Sequence, residues 1–309
     1  MKRTMDSVRK RFRTGAVILL YHRVTNLKHD PQMLAVSPKH FAEHLQFLRS
    51  HARPVSLRHL SDRSNDDSRK AVGITFDDGY ADNLHEAKPL LEEYEAPATV
   101  FVSTGYLDAN REFWWDELEN IFMNGRVLPD TLEIRLKGSP RRWPSRDAYV
   151  GLCAAIRALP PDDRETVLDE VRAWAKKKAV CRDSHRPMTK NEVRQLDKGS
   201  VVEVGSHTVA HPVLSSLNAD AQRDQIRRDK TTLENLLGRQ VRSFAYPFGN
   251  RPDYNRASVN AVREAGFEIA CSNFEGIVWP RTDRLELPRM LVRNWSGDEF
   301  ARRFEAWFS

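Results

Sequence analysis

The segment from Ile74 to Tyr80, with the sequence Ile-Thr-Phe-Asp-Asp-Gly-Tyr, ends an apolar run with two adjacent carboxylates and a glycine. The apolar residues from Ala71 to Phe76 predict a buried strand, and Gly79 predicts the turn that ends it. Side chains alternate across a strand, but a turn beginning at Asp78 would let Asp77 and Asp78 face one cavity. Two carboxylates held that closely repel each other unless a cation or a shared proton relieves the charge. Aspartate and glycine also suit an ordinary turn without any further role.

A pair of histidines follows a second predicted strand. Val201 to Val204 is apolar, and His207 and His211 come soon after it, four positions apart. One helical turn would place both imidazoles on the same side. Two imidazoles and one carboxylate give three ligands and leave room for water, which is typical of a catalytic metal site. A His-x-x-x-His pair alone often lies on a solvated helix face, so the prediction depends on its combination with the aspartates.

Apolar strand candidates alternate with helical patterns over most of the chain, among them a predicted helix from Ala219 to Leu237, and this alternation predicts a parallel sheet. The predicted strands are Ala16–Tyr21, Ala71–Phe76, Ala98–Val102, Val201–Val204, Val241–Ala245, Phe267–Cys271 and Met290–Arg293. Closing such a sheet into a barrel would bring all the carboxyl ends to one face. The polar residues just beyond these strands include His22, Asp77, Asp78, Thr104, His207, His211, Asn273 and Arg293. We therefore expect the functional site at that face.

The stretch from about 107 to 187 does not follow this alternation, because it contains three helix-like segments in succession. We predict a helical insertion there, within a catalytic domain of residues 15–309. A basic N-terminal arm of residues 1–14 precedes this domain. Trp114 and Trp115, near the start of the insertion, suit either core packing or a platform on which a sugar ring could stack.

Charge and composition limit the partners and the location. The net charge is +6, and basic clusters such as residues 2–13 could contact an anionic surface. Acidic residues are interleaved nearly everywhere, which is typical of a solvated surface. We expect no nucleic-acid partner, allow a peripheral contact with an anionic membrane, and leave the oligomeric state open. Because no apolar run suits a secretory signal or a membrane span, and three cysteines suggest no disulfide framework, we predict a cytoplasmic location, with any membrane contact at the inner face.

Three motifs resemble those of the polysaccharide deacetylases, the NodB-homology group also called carbohydrate esterase family 4. Thr75–Gly79 resembles the first motif, His207–His211 the second, and Phe244–Gly249 the third. The similarity extends from about Tyr21 to Arg289. It implies an α/β fold of the NodB type, a distorted (β/α) barrel of about seven parallel strands, here with the helical insertion.

The resemblance also implies a function. It predicts a metal-dependent hydrolase that removes acetyl groups from N-acetylated sugars of a glycan or polysaccharide precursor. Asp78, His207 and His211 would bind the metal, and Asp77 would be the general base that activates a metal-bound water. The nitrogen and oxygen donors suit zinc first, with cobalt, nickel or iron as alternatives.

The third and later motifs depart from the family pattern. Ala245 stands where the third motif usually begins with an arginine that holds the catalytic aspartate. We predict that Arg289 replaces this arginine and holds Asp77, although Arg289 could also be a structural residue. The resemblance implies that the backbone amide of Phe248 binds the oxyanion, a role that suits a backbone donor because it is preorganised for developing charge. Tyr246 is the other predicted substrate contact.

The general acid and the function itself both have alternatives. The histidine that usually acts as the acid is absent from the fifth motif, so His22, after the first strand, is the candidate; it could also be a hydrogen-bonded core histidine. Loss of the usual motifs would suit a catalytically silent carbohydrate-binding protein, although Asp77 is retained. An amide hydrolase acting on a small non-sugar substrate is a third hypothesis, which rests on analogy between folds.

Overall fold

A curled sheet of parallel strands forms the centre of the molecule. The structure is a computed structural model that describes residues 15–60, 70–124, 127–136 and 138–308. The predicted basic arm, residues 1–14, lies outside the described residues. The predicted α/β fold is confirmed: seven strands pair side by side, all parallel, and the sheet curls into part of a barrel with helices around it.

The strands of this sheet lie in an order that differs from their order along the chain. Across the sheet they are β11 (Ile269–Cys271), β10 (Ser243–Ala245), β9 (Val202–Ser206), β6 (Ala98–Val102), β5 (Lys70–Phe76), β1 (Val17–Tyr21) and β12 (Met290–Leu291). A further short strand, β4 (Ala52–Pro54), pairs with the start of β5. Away from the sheet, β2 (Arg23–Val24) pairs with β3 (Ala35–Val36), and β7 (Thr131–Leu136) forms an antiparallel hairpin with β8 (Ser139–Pro144).

Helices connect the strands and cover the sheet. In the described part of the chain they are α1 (Pro38–His51), α2 (Lys88–Glu93), α3 (Trp114–Met123), α4 (Ser145–Ile156), α5 (Pro161–Trp174), α6 (Lys190–Leu196), α7 (Ala219–Leu237), α8 (Arg256–Glu264) and α9 (Gly297–Ala306). A π-helical segment, Asn83–Ala87, leads into α2. Across the residues that the structure describes, every helix is too short or too polar to cross a membrane. The cytoplasmic location and the membrane contact stay predictions.

Local sequence signals set the ends of α7, whose bounds match the prediction. The Asn218 side chain accepts a hydrogen bond from the Ala221 amide, which satisfies one of the free N–H groups of the first turn. Gly238 ends the helix with a φ of 69°, a left-handed conformation that glycine adopts without strain. Ile226 and Leu233 are fully buried and fix this helix against the sheet.

The segment between β6 and β9 has its own small core. Helices α3, α4 and α5 pack around buried residues that include Trp115, Leu152 and Val171. The prediction of a helical insertion did not include the β7–β8 hairpin. Strand β8 has the sequence Ser-Pro-Arg-Arg-Trp-Pro and is exposed along most of its length, so it lacks the apolar alternation that indicates a strand.

A buried histidine of α1 packs against α9. The His44 ring stacks on Phe300, with centroids 4.2 Å apart. Its Nε2–H donates to the Trp295 carbonyl at 2.8 Å, so Nδ1 is left to accept from the Tyr21 hydroxyl at 3.2 Å. Burial lowers the pKa of His44 to about 4, and the ring is therefore neutral at pH 7.

We expect this histidine to make the protein less stable in mild acid. In the unfolded chain, His44 takes up a proton near its ordinary pKa of about 6.5, but the folded chain does not until pH falls to about 4. Its contribution to the free energy of unfolding is therefore complete above pH 6.5 and is lost on acidification, by about 2–3 kcal/mol. Urea unfolding at about pH 7 and about pH 4.5 measures this loss.

Two variants separate this effect from acid titration elsewhere. His44→Gln can keep the bond to the Trp295 carbonyl but has no proton to gain, so the loss of stability between the two pH values should shrink by that amount. His51→Gln, at the exposed end of α1, is the matched control and should behave like the wild type. An unchanged loss in His44→Gln would contradict the prediction.

Candidate functional site

The carboxyl ends of β5 and β9 bring three buried side chains together. Asp78, His207 and His211 each offer one ligand atom, and these atoms lie within 4.8 Å of one another. Oδ1 of Asp78 is 3.3 Å from Nε2 of His211 and 3.6 Å from Nε2 of His207. All three residues are at most 4% exposed, so bulk water cannot hydrogen-bond to polar atoms of theirs that lack a protein partner.

The backbone of these loops is strained. Asp78, Thr208 and His211 have φ values of 77°, 67° and 49°, in the left-handed region that residues other than glycine rarely adopt. The helical turn considered for the two histidines is therefore wrong, because a loop with left-handed residues at 208 and 211 joins them. Strain of this kind persists where the surrounding structure enforces it, and it concentrates at functional sites.

The protonation of the two imidazoles suits metal binding. His207 Nδ1 lies 2.8 Å from the Ala245 carbonyl and must donate to it, so Nε2 carries a lone pair. That Nε2 is buried and has no hydrogen-bond partner among the described residues. Burial lowers the pKa of His207, and that of His211 further, which keeps both rings neutral. Burial and the adjacent Asp77 raise the pKa of Asp78. A divalent cation would satisfy the lone pair and stabilise the carboxylate, so the three donors fit such an ion.

Asp229 of α7 supports His207 from behind. Its carboxylate accepts hydrogen bonds from the Ser206 hydroxyl at 2.6 Å and the His207 amide at 3.1 Å, and from the Thr104 amide and hydroxyl at 2.9 and 2.6 Å. Burial raises the pKa of Asp229 to about 7. The sequence prediction missed this residue. Its signal is a single carboxylate at helical spacing on the apolar face of α7, three positions after Ile226.

Asp77 faces a buried arginine. Two nitrogens of Arg289 donate to the two carboxylate oxygens of Asp77, both at 2.7 Å, and Arg289 is fully buried. Arg289 also donates from Nε to the Ser272 carbonyl at 2.5 Å and to the Thr75 hydroxyl at 3.2 Å. Burial alone would raise the pKa of Asp77, but the charge of Arg289 and its hydrogen bonds outweigh burial and lower that pKa. Both residues named from the sequence thus lie together at the end of β5.

Of the two other predicted site residues, His22 lies near Asp77, whereas the side chain of Tyr246 points into the core. Burial lowers the pKa of His22 to about 4, and His22 is close enough to Asp77 and Arg289 for their charges to affect that pKa. The Tyr246 side chain instead belongs to the core, since its hydroxyl donates to the Leu285 carbonyl at 2.9 Å and its ring stacks on Tyr254. The prediction that Tyr246 contacts substrate is therefore limited to its backbone.

Aromatic rings surround His211. Ring centroids of Phe248, Trp115 and Phe113 lie 4.7, 5.1 and 6.4 Å from that of His211. Trp114 and Trp115 are 4% and 5% exposed, which supports core packing over a sugar-stacking platform. These rings give the candidate site an apolar wall.

Two arginines of the segment between β6 and β9 hold the motif loops. Arg157 follows α4 and donates to Asp253 at 2.7 Å, and its guanidinium lies 4.2 Å from the centre of the Phe248 ring. Phe248 has a φ of 60°, so its backbone is held in a strained conformation. Arg164 donates to the Ala210 carbonyl at 3.0 Å, beside the second histidine. The segment between β6 and β9 thus positions the second and third motifs.

A comparison with known families matches most of these elements. A family model described as Polysaccharide deacetylase matches residues 64–128 and 171–270, more than half of the chain. The chain belongs to the polysaccharide deacetylase family. The resemblance of its motifs is thereby confirmed. The residues between the two matched ranges include the β7–β8 hairpin and α4, in the segment that differs from the alternating pattern.

Individual relatives of this deacetylase family member are distant. The candidate polysaccharide deacetylase YxkH of Bacillus subtilis (strain 168) is 21% identical over 296 residues, which cover 94% of this chain and 76% of that protein. A structure of the Streptococcus pyogenes deacetylase PplD in complex with acetate has a TM-score of 0.60 at 19% identity, covering 93% of this chain and 97% of that one. IcaB from Ammonifex degensii has a TM-score of 0.61 at 20% identity, with 96% and 97% covered. At such identities the two structures support the fold.

Metal titration tests the three-residue site. We expect chelator-treated protein to take up one zinc ion per chain, measured by competition with a chromophoric chelator. Asp78→Asn and His211→Ala should bind zinc at least about 100-fold more weakly, because each removes a ligand. His40→Ala, outside the site, is the control. Zinc affinity equal to the wild type in both ligand variants would exclude the site.

Hydrogen exchange tests the role of Arg157. In Arg157→Ala, Asp253 loses a charged partner, which costs about 1–3 kcal/mol. We expect amides from Phe248 to Asp253 to exchange at least about tenfold faster, measured by mass spectrometry. Arg146→Ala, at an exposed arginine in the first turn of α4, is the matched control. Unchanged exchange in Arg157→Ala would show that the loop does not depend on this contact.

Proposed function

We propose that this chain is a metal-dependent deacetylase that removes the acetyl group from N-acetylated sugar residues of a glycan or polysaccharide precursor. Membership of the deacetylase family supports the reaction class. The observation on which the mechanism rests is that the two adjacent aspartates have different partners. Asp77 is paired with the chain's own Arg289, whereas Asp78 faces two neutral imidazoles.

Asp78, His207 and His211 are the proposed ligands of the metal. Zinc suits one carboxylate and two imidazoles, and cobalt, nickel or iron would also suit them. The bound ion would supply Lewis acidity, which lowers the pKa of a water and polarises the acetyl carbonyl. His207 is oriented for this role by the Ala245 carbonyl at Nδ1 and by Asp229 at its backbone amide.

Asp77 is the proposed general base. The bidentate bond to Arg289 fixes the orientation of its carboxylate and keeps its pKa low, so it is ionised and ready to take a proton from water. Because both of its oxygens are engaged by Arg289, Asp77 does not have to serve as a metal ligand. Arg289 is a positioning residue in this scheme. It replaces the arginine that the third motif usually has at the position of Ala245.

The third motif and the aromatic wall are proposed to receive the acetyl group. The Phe248 backbone amide would donate to the oxyanion as it forms, and a fixed backbone donor needs no reorganisation at that moment. The rings of Phe113, Trp115 and Phe248 around His211 give an apolar surface that suits the acetyl methyl. They also exclude water, which strengthens electrostatic interactions at the site.

His22 is the proposed general acid for the leaving amine. Because its pKa is about 4, the ring is neutral at pH 7 and would first have to take up a proton. Asp77 is close enough for its charge to raise the pKa of His22, and it would hold the proton removed from water. Transfer from Asp77 through His22 to the amine would return both groups to their starting state.

Acetate release tests the proposed function. We expect the zinc-loaded protein to release acetate from N-acetylglucosamine oligomers. Asp77→Asn should lower kcat by about 10²–10⁴-fold, the usual contribution of a general base. Arg289→Ala should lower kcat by at least about 100-fold and leave zinc content unchanged, with Arg289→Lys in between because a lysine keeps the charge but not the paired bonds. Acetate assays and metal analysis on the same samples measure both quantities.

The acetate-release assay has a matched control, and each proposed role has a result that would contradict it. Arg302→Ala, an exposed arginine on α9, should match the wild type, and thermal unfolding identifies variants that fail to fold. Wild-type activity in Arg289→Ala would remove Arg289 from the mechanism. Sugar binding without acetate release from any oligomer would favour the silent binding protein, and release from small non-sugar amides alone would favour the third hypothesis.

A further inference from the structure

A second pocket lies beside the third-motif loop. It has a volume of about 400 Å³ and is formed by the loop after β10, by α8 and by the segment that leads to β12. Ligand sites for small molecules usually fall between roughly 300 and 1,000 Å³, so this pocket is large enough for a sugar unit. None of its lining residues belongs to the metal centre or to the Asp77–Arg289 pair.

Three arginines line this pocket without carboxylate partners. Within the described residues, Arg251, Arg256 and Arg263 form no salt bridge. Arg263 donates to the Asn260 amide oxygen at 3.0 Å, and the Arg251 guanidinium lies 4.3 Å from the centre of the Phe274 ring. Three guanidinium groups around one cavity repel one another, and an anion would relieve that repulsion.

The two carboxylates of the pocket are already used by the protein. Asp283 accepts a hydrogen bond from the Leu285 amide at 2.9 Å, and Glu286 accepts one from the Tyr254 hydroxyl at 3.0 Å. Two carboxylates against three guanidinium groups leave the pocket with an excess positive charge. The three pocket arginines are themselves exposed, but Arg228, an exposed arginine of α7, pairs with a carboxylate four positions away.

Residues that line the pocket lie a few positions along the chain from residues of the candidate active site. Tyr254 stacks on Tyr246, with ring centroids 4.1 Å apart, and Tyr246 lies two positions before Phe248. On the other side, Glu286 lies three positions before Arg289. A ligand held here would therefore touch the two segments that carry the proposed oxyanion donor and the proposed positioning arginine.

We propose that this pocket binds the phosphate group of a phosphorylated sugar unit in the substrate. Guanidinium groups recognise phosphate through paired, charge-assisted hydrogen bonds, and several of them around one cavity suit a group with more than one negative charge. The volume left beyond a phosphate suits a sugar, whose hydroxyls can bond to the amide and carboxylate groups of the lining. The identity of this ligand as substrate rests on the proposed deacetylase function, but its binding does not.

Calorimetric titration at low salt tests the pocket without turnover. The probes are N-acetylglucosamine 1-phosphate, N-acetylglucosamine and inorganic phosphate. We expect the sugar phosphate to bind at least about tenfold more tightly than either of the others. The double variant Arg251→Ala/Arg263→Ala should lose at least about tenfold in that affinity. Arg302→Ala is the matched control, and His207→Ala should bind as the wild type does, because the ligand does not need the metal centre.

Each contrary result has a clear meaning. Equal affinity for N-acetylglucosamine 1-phosphate and N-acetylglucosamine would overturn the phosphate site. Wild-type affinity for the sugar phosphate in the double variant would also overturn it. Loss of binding in His207→Ala would assign the ligand to the metal centre, and inorganic phosphate binding as tightly as the sugar phosphate would overturn the substrate assignment. Acetate release from neutral oligomers is measured separately. If the wild type releases none and the sugar phosphate still binds as expected, the pocket stands and the deacetylase proposal fails.

Discussion

The ion pair between Arg289 and Asp77 is the interaction on which the site depends. Both residues are buried, their two hydrogen bonds are 2.7 Å long, and they lie 212 positions apart in the chain. Removing one partner of a buried pair leaves an uncompensated charge, at a cost of about 3–5 kcal/mol. The pair therefore ties the end of β5 to the start of β12. It also neutralises one of two adjacent aspartates from within the protein, so that Asp78 alone is left for a cation.

The surroundings of this pair hold an otherwise unfavourable backbone in place. Asp78, His211 and Phe248 all have left-handed conformations, which cost energy for residues other than glycine. Asp229 accepts hydrogen bonds from the amides and hydroxyls next to His207, and Arg157, in the segment between β6 and β9, holds the third-motif loop. The strained loops are thus supported by α7 on one side and by the segment between β6 and β9 on the other.

Several elements could be predicted from local patterns alone. Ala98–Val102 and Ala219–Leu237 have the predicted bounds, because a short, mostly apolar strand and a well-capped amphipathic helix are determined within a few residues. The β7–β8 hairpin was missed because β8 is polar, exposed and contains two prolines. Asp229 was missed for another reason: a buried carboxylate becomes meaningful only when the donors that surround it are known.

The sequence by itself determined that two aspartates and two histidines follow strands of a parallel sheet, and so meet at one edge of it. Strand periodicity and turn residues act over short distances along the chain, and they are visible there. The sequence left two roles open for Arg289, and only the tertiary structure decided that it forms paired hydrogen bonds to Asp77. Only the tertiary structure decided that His207 turns a lone pair toward Asp78 and that three arginines share a pocket without carboxylate partners. These features depend on burial and on contacts between residues far apart in the chain, and the local pattern carries no record of either.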